Sequence, residues 1–404
     1  MWPADVVSTP AAPRRALEAV ARAGIFVFGI VMAIVGAVVP SLVERLSLSL
    51  GDVGMIFLVM NFAMLVASLV LGLIVDRFGL KLPIAAGAWL VAIALVLIGS
   101  AAGYAQLLVA AVCLGLGGGG VNGASNTLVA DLYDDPRRKA AALNRLGVYF
   151  GIGALLLPFS LGALRSTFGV AGLLQGAAAL CGVAGLAAVV LAFPPPKQLQ
   201  GWPLAQMPRF IRMPVVLTLA ALLFFQSGNE FMLGGYISTF LSREIRLSPD
   251  AASYALAGYW AAIMTARVVL ARLLLSVSAP SAVLACALAS AVGALMIGSA
   301  TTAPIACAGA MLTGFALAGI FPTVLSLAGA RFPEYSGTVF GILFTVALAG
   351  GMTMPWVSGQ LADAAGIRLV FGLAAANFAV IAVLIAVARA QLERAALRAD
   401  ETAR

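Results

Sequence analysis

The chain is a succession of apolar runs, each about 20 residues long and parted from the next by a short polar break. Few folds accept that pattern. A run of that length is one bilayer crossing as a helix, whereas barrel strands would alternate in pieces of about ten residues. Lipid offers nothing to backbone N–H and C=O groups, so each crossing must satisfy its own hydrogen bonds. Of the 404 residues 62% are hydrophobic and 10% charged, with a mean hydropathy of +1.07. That is too little charge to coat a soluble domain of this size. The runs predict helices at 22–43, 52–75, 82–103, 105–131, 140–164 and 169–193. A second set follows at 214–241, 250–275, 280–300, 304–331, 336–360 and 367–389. The proline-rich stretch 194–213 cannot continue a helix and reads as a linker. The expectation is an all-α membrane protein of twelve transmembrane helices in two pseudo-symmetric six-helix bundles, 22–193 and 214–389. Short tails, 1–21 and 390–404, flank them.

Lysine and arginine positions test this count. Twelve crossings put Arg45, Arg165, Arg243, Arg246 and Arg368 on one side, and the other nineteen of the 24 basic residues on the side of the termini. A wrong count would scramble that split. The termini and linker are therefore expected in the cytoplasm, the protein in the inner (cytoplasmic) membrane, and the net charge of +8 has nothing to do with nucleic acid. Cys113, Cys181, Cys286 and Cys307 lie inside apolar runs with no paired spacing, and the chain has no histidine. Neither a metal site nor a cofactor is expected, and proton chemistry falls to carboxylates. No nucleophile–base pair or phosphate loop suggests an enzyme.

One charged loop, Gly72-Leu73-Ile74-Val75-Asp76-Arg77-Phe78-Gly79-Leu80-Lys81, joins the second and third runs. It resembles the signature loop of the major facilitator superfamily, G-x-L-a-D-R-x-G-r-k. Gly72, Asp76, Arg77, Gly79 and Lys81 match; Ile74, Val75 and Leu80 depart from it. The resemblance implies a monomeric secondary transporter working by alternating access, with these five residues as a gate. In that family the aspartate faces the start of helix eleven, where free amides and the helix dipole favour negative charge. Ser336-Gly337 is the expected start of that helix. Gly359-Gln360-Leu361-Ala362-Asp363 resembles half of the motif on the opposite side, and Asp363 is read as a cap or loop charge.

Buried polar residues are the candidates for a solute site. In helix seven Gln226, Asn229 and Glu230 share a face by three-and-four spacing, about 16 residues in for Glu230. An ionisable residue at that depth is a functional candidate by default, and Glu230 is the expected proton-coupling group. In helix four the run Gly115 to Gly120 permits close helix packing, and Asn122 and Asn126 are one turn apart. Here the sequence resembles the fucose-permease branch, the sugar–proton symporters. The likeness is carried by Val121 to Thr127, by Leu143-Asn144 through Phe150, Gly151, Gly153, Ala154 and Pro158, and by Trp260 with Ala266-Arg267. The branch glutamate of helix four is Asn122 here, and helix one has no acid between Gly24 and Leu42. The resemblance implies a small polar, sugar-like cargo, with protons as coupling ion through Glu230. Tyr149, Tyr259, Trp260 and Trp356 are aromatic candidates for stacking on it. Arg145 and Arg267 are expected to pair with Asp131 or Glu334. A competing reading is proton-driven efflux of amphipathic compounds. Gly153, Pro158 and Gly162 are similar to an antiporter motif, but Leu157 replaces its glycine. A third is a membrane sensor, for which the short C-terminal tail offers no output domain.

Overall fold

The computed structural model describes residues 12–194, 207–273 and 277–403. The expected tail residues 1–11 and linker residues 195–206 lie outside them. The helices are α1 Arg14–Leu46, α2 Leu50–Phe78, α3 Lys81–Gly99, α4 Tyr104–Asp131, α5 Pro136–Val190, α6 Met207–Ile211 and α7 Pro214–Arg243. They continue with α8 Pro249–Leu273, α9 Ala279–Ser299, α10 Ala303–Leu317, α11 Ile320–Arg331, α12 Ser336–Ala365 and α13 Arg368–Ala403. Helix α5 is two crossings joined at Gly169, whose φ of 67° breaks the helix. Its first leg lies along α1 at Gly29 and its second returns along α3, with Gly182 and Gly185 against Trp89. One crossing is split the other way, into α10 and α11, at Ala318 and Gly319. Counted by legs, and leaving out the short α6, the described residues make twelve crossings.

Two helices run further than their apolar cores. Helix α1 starts at Arg14, inside the expected tail, and buries Leu17, Val20 and Ala21. Glu18 accepts from Arg14 at 3.2 Å and from Arg22 at 2.6 Å, so charged pairs one turn apart extend the helix. Helix α13 continues past residue 389 with Arg389 on Glu393 at 2.8 Å.

Both termini and α6 lie at one end of the bundle, here the linker end. At the far end, two of the five minority-side arginines tie off helix C-termini. Arg45 donates to the carbonyls of Ile98 and Gly99 at the end of α3, both at 3.1 Å. Arg368 donates to Gly298 at 3.0 Å and Ala300 at 2.8 Å at the end of α9, and to Glu244 at 3.0 Å. These exceptions to the charge bias complete orphan carbonyls and complement helix dipoles.

The halves meet along α1 with α7, α2 with α12, and α5 with α8. Contact is tight at the far end. A methyl group at Gly36 would overlap the carbonyl of Gly234, and Ser238 Oγ donates to the Gly36 carbonyl at 2.6 Å. Tyr236 Oη donates to the carbonyls of Leu50 at 3.2 Å and Pro355 at 3.0 Å. Towards the linker end the seam opens. Gly51, Gly54 and Asn61 of α2 and Gly351, Pro355 and Gly359 of α12 are buried, while Ser68, Gly337, Gly341 and Phe344 are exposed.

Candidate functional site: polar residues between the halves and two acidic latches

Helix α4 shows how glycine places the site. Gly115 and Gly119 press on α2 at Met60 and Met64, Gly117 and Gly120 on α3 at Gly87 and Pro83, and Ser125 on α1 at Gly24. Three sides of the helix are thus occupied, each at a spacing of three or four residues. Asn122 and Asn126 fall on the side opposite α3, between α1 and α2, and both are half-buried. Asn126 Nδ2 donates to the Asn122 carbonyl at 2.9 Å and to Asn122 Oδ1 at 3.0 Å. Among the described residues, Asn126 Oδ1 and Asn122 Nδ2 have no partner and can meet a solute hydroxyl.

In α7 the three expected site residues part company. Glu230 is half-buried and accepts from Gln226 Nε2 at 3.1 Å. Gln226 is buried, with its Oε1 lacking a protein partner. Asn229 is a correction. It is fully buried, donates to the Ala374 carbonyl at 3.2 Å and accepts from Asn377 at 2.9 Å. Its amide binds α7 to α13 inside the second half, because residue 229 sits to one side of the line joining 226 and 230.

The aromatics divide likewise. Tyr259 and Trp260, expected to line the cavity, are 0% and 2% exposed. Trp260 packs edge-on against Phe150 at 6.3 Å and against Tyr259 at 5.5 Å. They form a wall linking α8 to α5, with Tyr259 Oη and Trp260 Nε1 lacking protein partners. Tyr149 is half-buried beneath the Arg22 guanidinium at 5.7 Å. Trp356 is half-buried near the far end, its backbone against Gly54 and its Nε1 without a protein partner.

Four residues were missed or undervalued. Asn61, fully buried in α2, donates to the Phe57 carbonyl at 2.9 Å and leaves its Oδ1 without a partner. Its signal was one amide in an otherwise apolar run. Tyr236 closes the far end, and its signal was a tyrosine behind two glycines. Arg267 has its guanidinium 4.9 Å from the Phe150 ring and interacts electrostatically with Glu230. The fourth is Asp363. Arg145 donates to Tyr133 Oη at 3.3 Å, which in turn donates to Glu18 at 2.6 Å. The Glu334 side chain lies outside the described residues.

Asp363 reaches from the end of α12 to the start of α2. Its Oδ1 accepts from Leu50 N at 2.9 Å and its Oδ2 from Gly51 N at 2.7 Å. Ser49 and Asp52 form a capping box that serves the next amide. The first three amides of α2 are thus satisfied, two of them by the other half of the protein. At the linker end the same two helices present the mirror arrangement, unmade. Asp76 ends α2 and, among the described residues, makes no hydrogen bond or ion pair. Helix α12 begins at Ser336, as expected, with no side-chain cap and no acid in its first turn. The loop beside Asp76 is a single tight turn. Gly79, at φ 75°, donates to the Val75 carbonyl at 2.8 Å, which needs glycine. Arg77 lies 5.4 Å over the Phe78 ring, while Gly72 and Lys81 are half-buried.

The sequence profile of the Major Facilitator Superfamily matches residues 23–227 and 219–403. No curated protein matches the sequence. Among solved structures the chain is similar to a point mutant of the nucleoside transporter NupG, with a TM-score of 0.78 at 15% identity over 93% of this chain and 99% of that one. It is also similar to a bacterial homolog of the human lysosomal transporter Spinster. The inward-facing, occupied form gives a TM-score of 0.77 at 15% identity, over 93% of this chain and 96% of that one. The inward-facing, unoccupied form gives 0.74 at 16% identity, with the same coverage.

Proposed function

The chain belongs to the Major Facilitator Superfamily and is a secondary transporter, and from there we propose that it carries a small polar, sugar-like solute across the cytoplasmic membrane, coupled to protons through Glu230. The observation that carries this reading is the polar content of the space between the halves. Asn122 and Glu230 stand half-buried inside the span, with Asn126 one turn nearer the linker end, in a chain whose other crossings are mostly apolar. Polar groups at that depth cost free energy unless something meets them. A solute rich in hydroxyls does so.

We take the linker end as cytoplasmic, which makes this an inward-open arrangement: the Asp363 contact is made and Asp76 has no partner among the described residues. Alternating access then exchanges one latch for the other. Asp363 holds the start of α2 when the protein faces inward, and Asp76 holds the start of α12 when it faces outward. A carboxylate at an exposed helix N-terminus is worth about 0.3–1 kcal/mol, enough to shift a balanced pair of states up to about fivefold. Opposite effects are therefore expected from two like substitutions. Asp363→Asn favours the outward-facing state and Asp76→Asn the inward-facing one, read by labelling of single cysteines placed at either end. Shifts in the same direction would refute the reciprocal scheme.

The cargo is tested by thermal shift of the purified protein with monosaccharides, other polar metabolites and amphipathic cations. A ligand of the native state raises its stability by mass action. A sugar-dependent rise that disappears in Asn122→Ala is the expected result. A response to amphipathic cations alone would favour efflux instead.

A further inference from the structure

The space between the halves borders a cation that no acid among the described residues bonds directly. Arg267 is exposed to the space between the halves and, among the described residues, makes no hydrogen bond or ion pair. What surrounds it is apolar. Its guanidinium lies against the Phe150 ring, and Gly147, Gly151, Trp260, Ile263 and Met264 complete the crevice. Glu230 interacts with it electrostatically but forms no ion pair with it. Arg267 and Asn122 each lie 18 residues from the far end of their helices, a depth of about 27 Å. Their residues therefore stand level on facing halves. Helical side chains lean towards the N-terminus, which carries the guanidinium of α8 away from the linker end and towards Glu230.

We infer that Arg267 is an anion-reading residue, and that the solute is a hydroxylated carboxylate, a sugar acid in chemical class. The inference rests on the sugar-like reading above and narrows it. A guanidinium presents a planar fork that matches a carboxylate with two parallel hydrogen bonds. The solute carboxylate docks there, its carbon chain lies against Phe150, and its hydroxyls meet Asn122 and Asn126. Charge balance joins this to Glu230. The pair Glu230 and Arg267 is neutral when empty. An anion leaves the cavity one negative charge in excess, and a proton on Glu230 restores neutrality. Anion and proton thus favour each other's binding, by linkage. Among the described residues, Arg267 and Tyr259 of α8 both interact electrostatically with Glu230. The facing stretches 23–43, 53–75, 338–362 and 369–388 of α1, α2, α12 and α13 carry no ionisable side chain.

The test uses sodium gluconate and glucose as paired probes on the full chain, by thermal shift at pH 6 and pH 8. Gluconate is expected to stabilise wild type more than glucose does, and to do so more strongly at pH 6 than at pH 8. Arg267→Gln loses the gluconate response and Arg267→Lys retains part of it, while Glu230→Gln binds gluconate with no dependence on pH. Unchanged gluconate binding in Arg267→Gln overturns the inference. So does a wild type that answers to glucose alone, an outcome that leaves the sugar-like reading standing. A wild type that answers only to amphipathic cations removes both. Should Arg267→Gln fail to fold, the wild-type preference between the two probes decides alone.

Discussion

Glu230→Gln is expected to abolish uphill accumulation while leaving exchange of solute across the membrane intact. The substitution keeps the volume of the side chain and its bond with Gln226 but removes the group that changes charge. One proton moving down a gradient of one pH unit supplies about 1.4 kcal/mol, which sustains about tenfold accumulation. In proteoliposomes with that gradient, wild type therefore reaches about tenfold and the variant reaches equal concentrations. Counterflow of labelled against unlabelled solute continues, because the return of the empty carrier, which requires release of the proton, is bypassed. Full accumulation by the variant would remove Glu230 from the coupling. Loss of counterflow as well would make it a structural member of α7.

Gly36→Val should prevent closure of the far end. At this point α1 and α7 touch backbone to backbone, with no flexible side chain between them to give way. Overpacking of this kind costs about 1–3 kcal/mol, which lowers the closed population about five- to 150-fold. In a background without native cysteines, Ser358→Cys reports the change, since residue 358 is buried below the far gate. Its labelling from the far side should rise by that factor, and transport should stop. Gly176→Val is the control, because a side chain there meets nothing within 4 Å. Unaltered labelling in Gly36→Val would show that the contact is not part of the gate.

Much of this architecture is legible in the sequence because lipid is a severe solvent. A helix must be long and apolar to cross it, so the crossings and the start of α12 at Ser336 are read from composition and breakers alone, while the break expected at 165–168 falls at Gly169. The site is less legible because a buried polar residue does not announce its partner. Gln226, Asn229 and Glu230 look alike by spacing, yet positions three and four apart spread over a wide arc of the helix. One end of that arc meets the cavity and the other meets Asn377. Tyr259 and Trp260 are aromatic residues near the site that pack as a wall. Arg267 was expected to be paired, and only geometry reveals that no described acid bonds it. Asp363 is a cap, as its position suggested, but it caps a helix 313 positions away in the chain.

That separation bears on how the protein is made. Helix α2 enters the membrane early in synthesis, and the amides of Leu50 and Gly51 must face headgroup water until residue 363 arrives. The first half therefore inserts with those two amides still wet. The contacts of Gly36 with Gly234 and of Leu50 with Tyr236 can form earlier, but the two amides are completed only once residue 363 has been made. The Asp363 latch is thus among the later of the far-end contacts that translation permits.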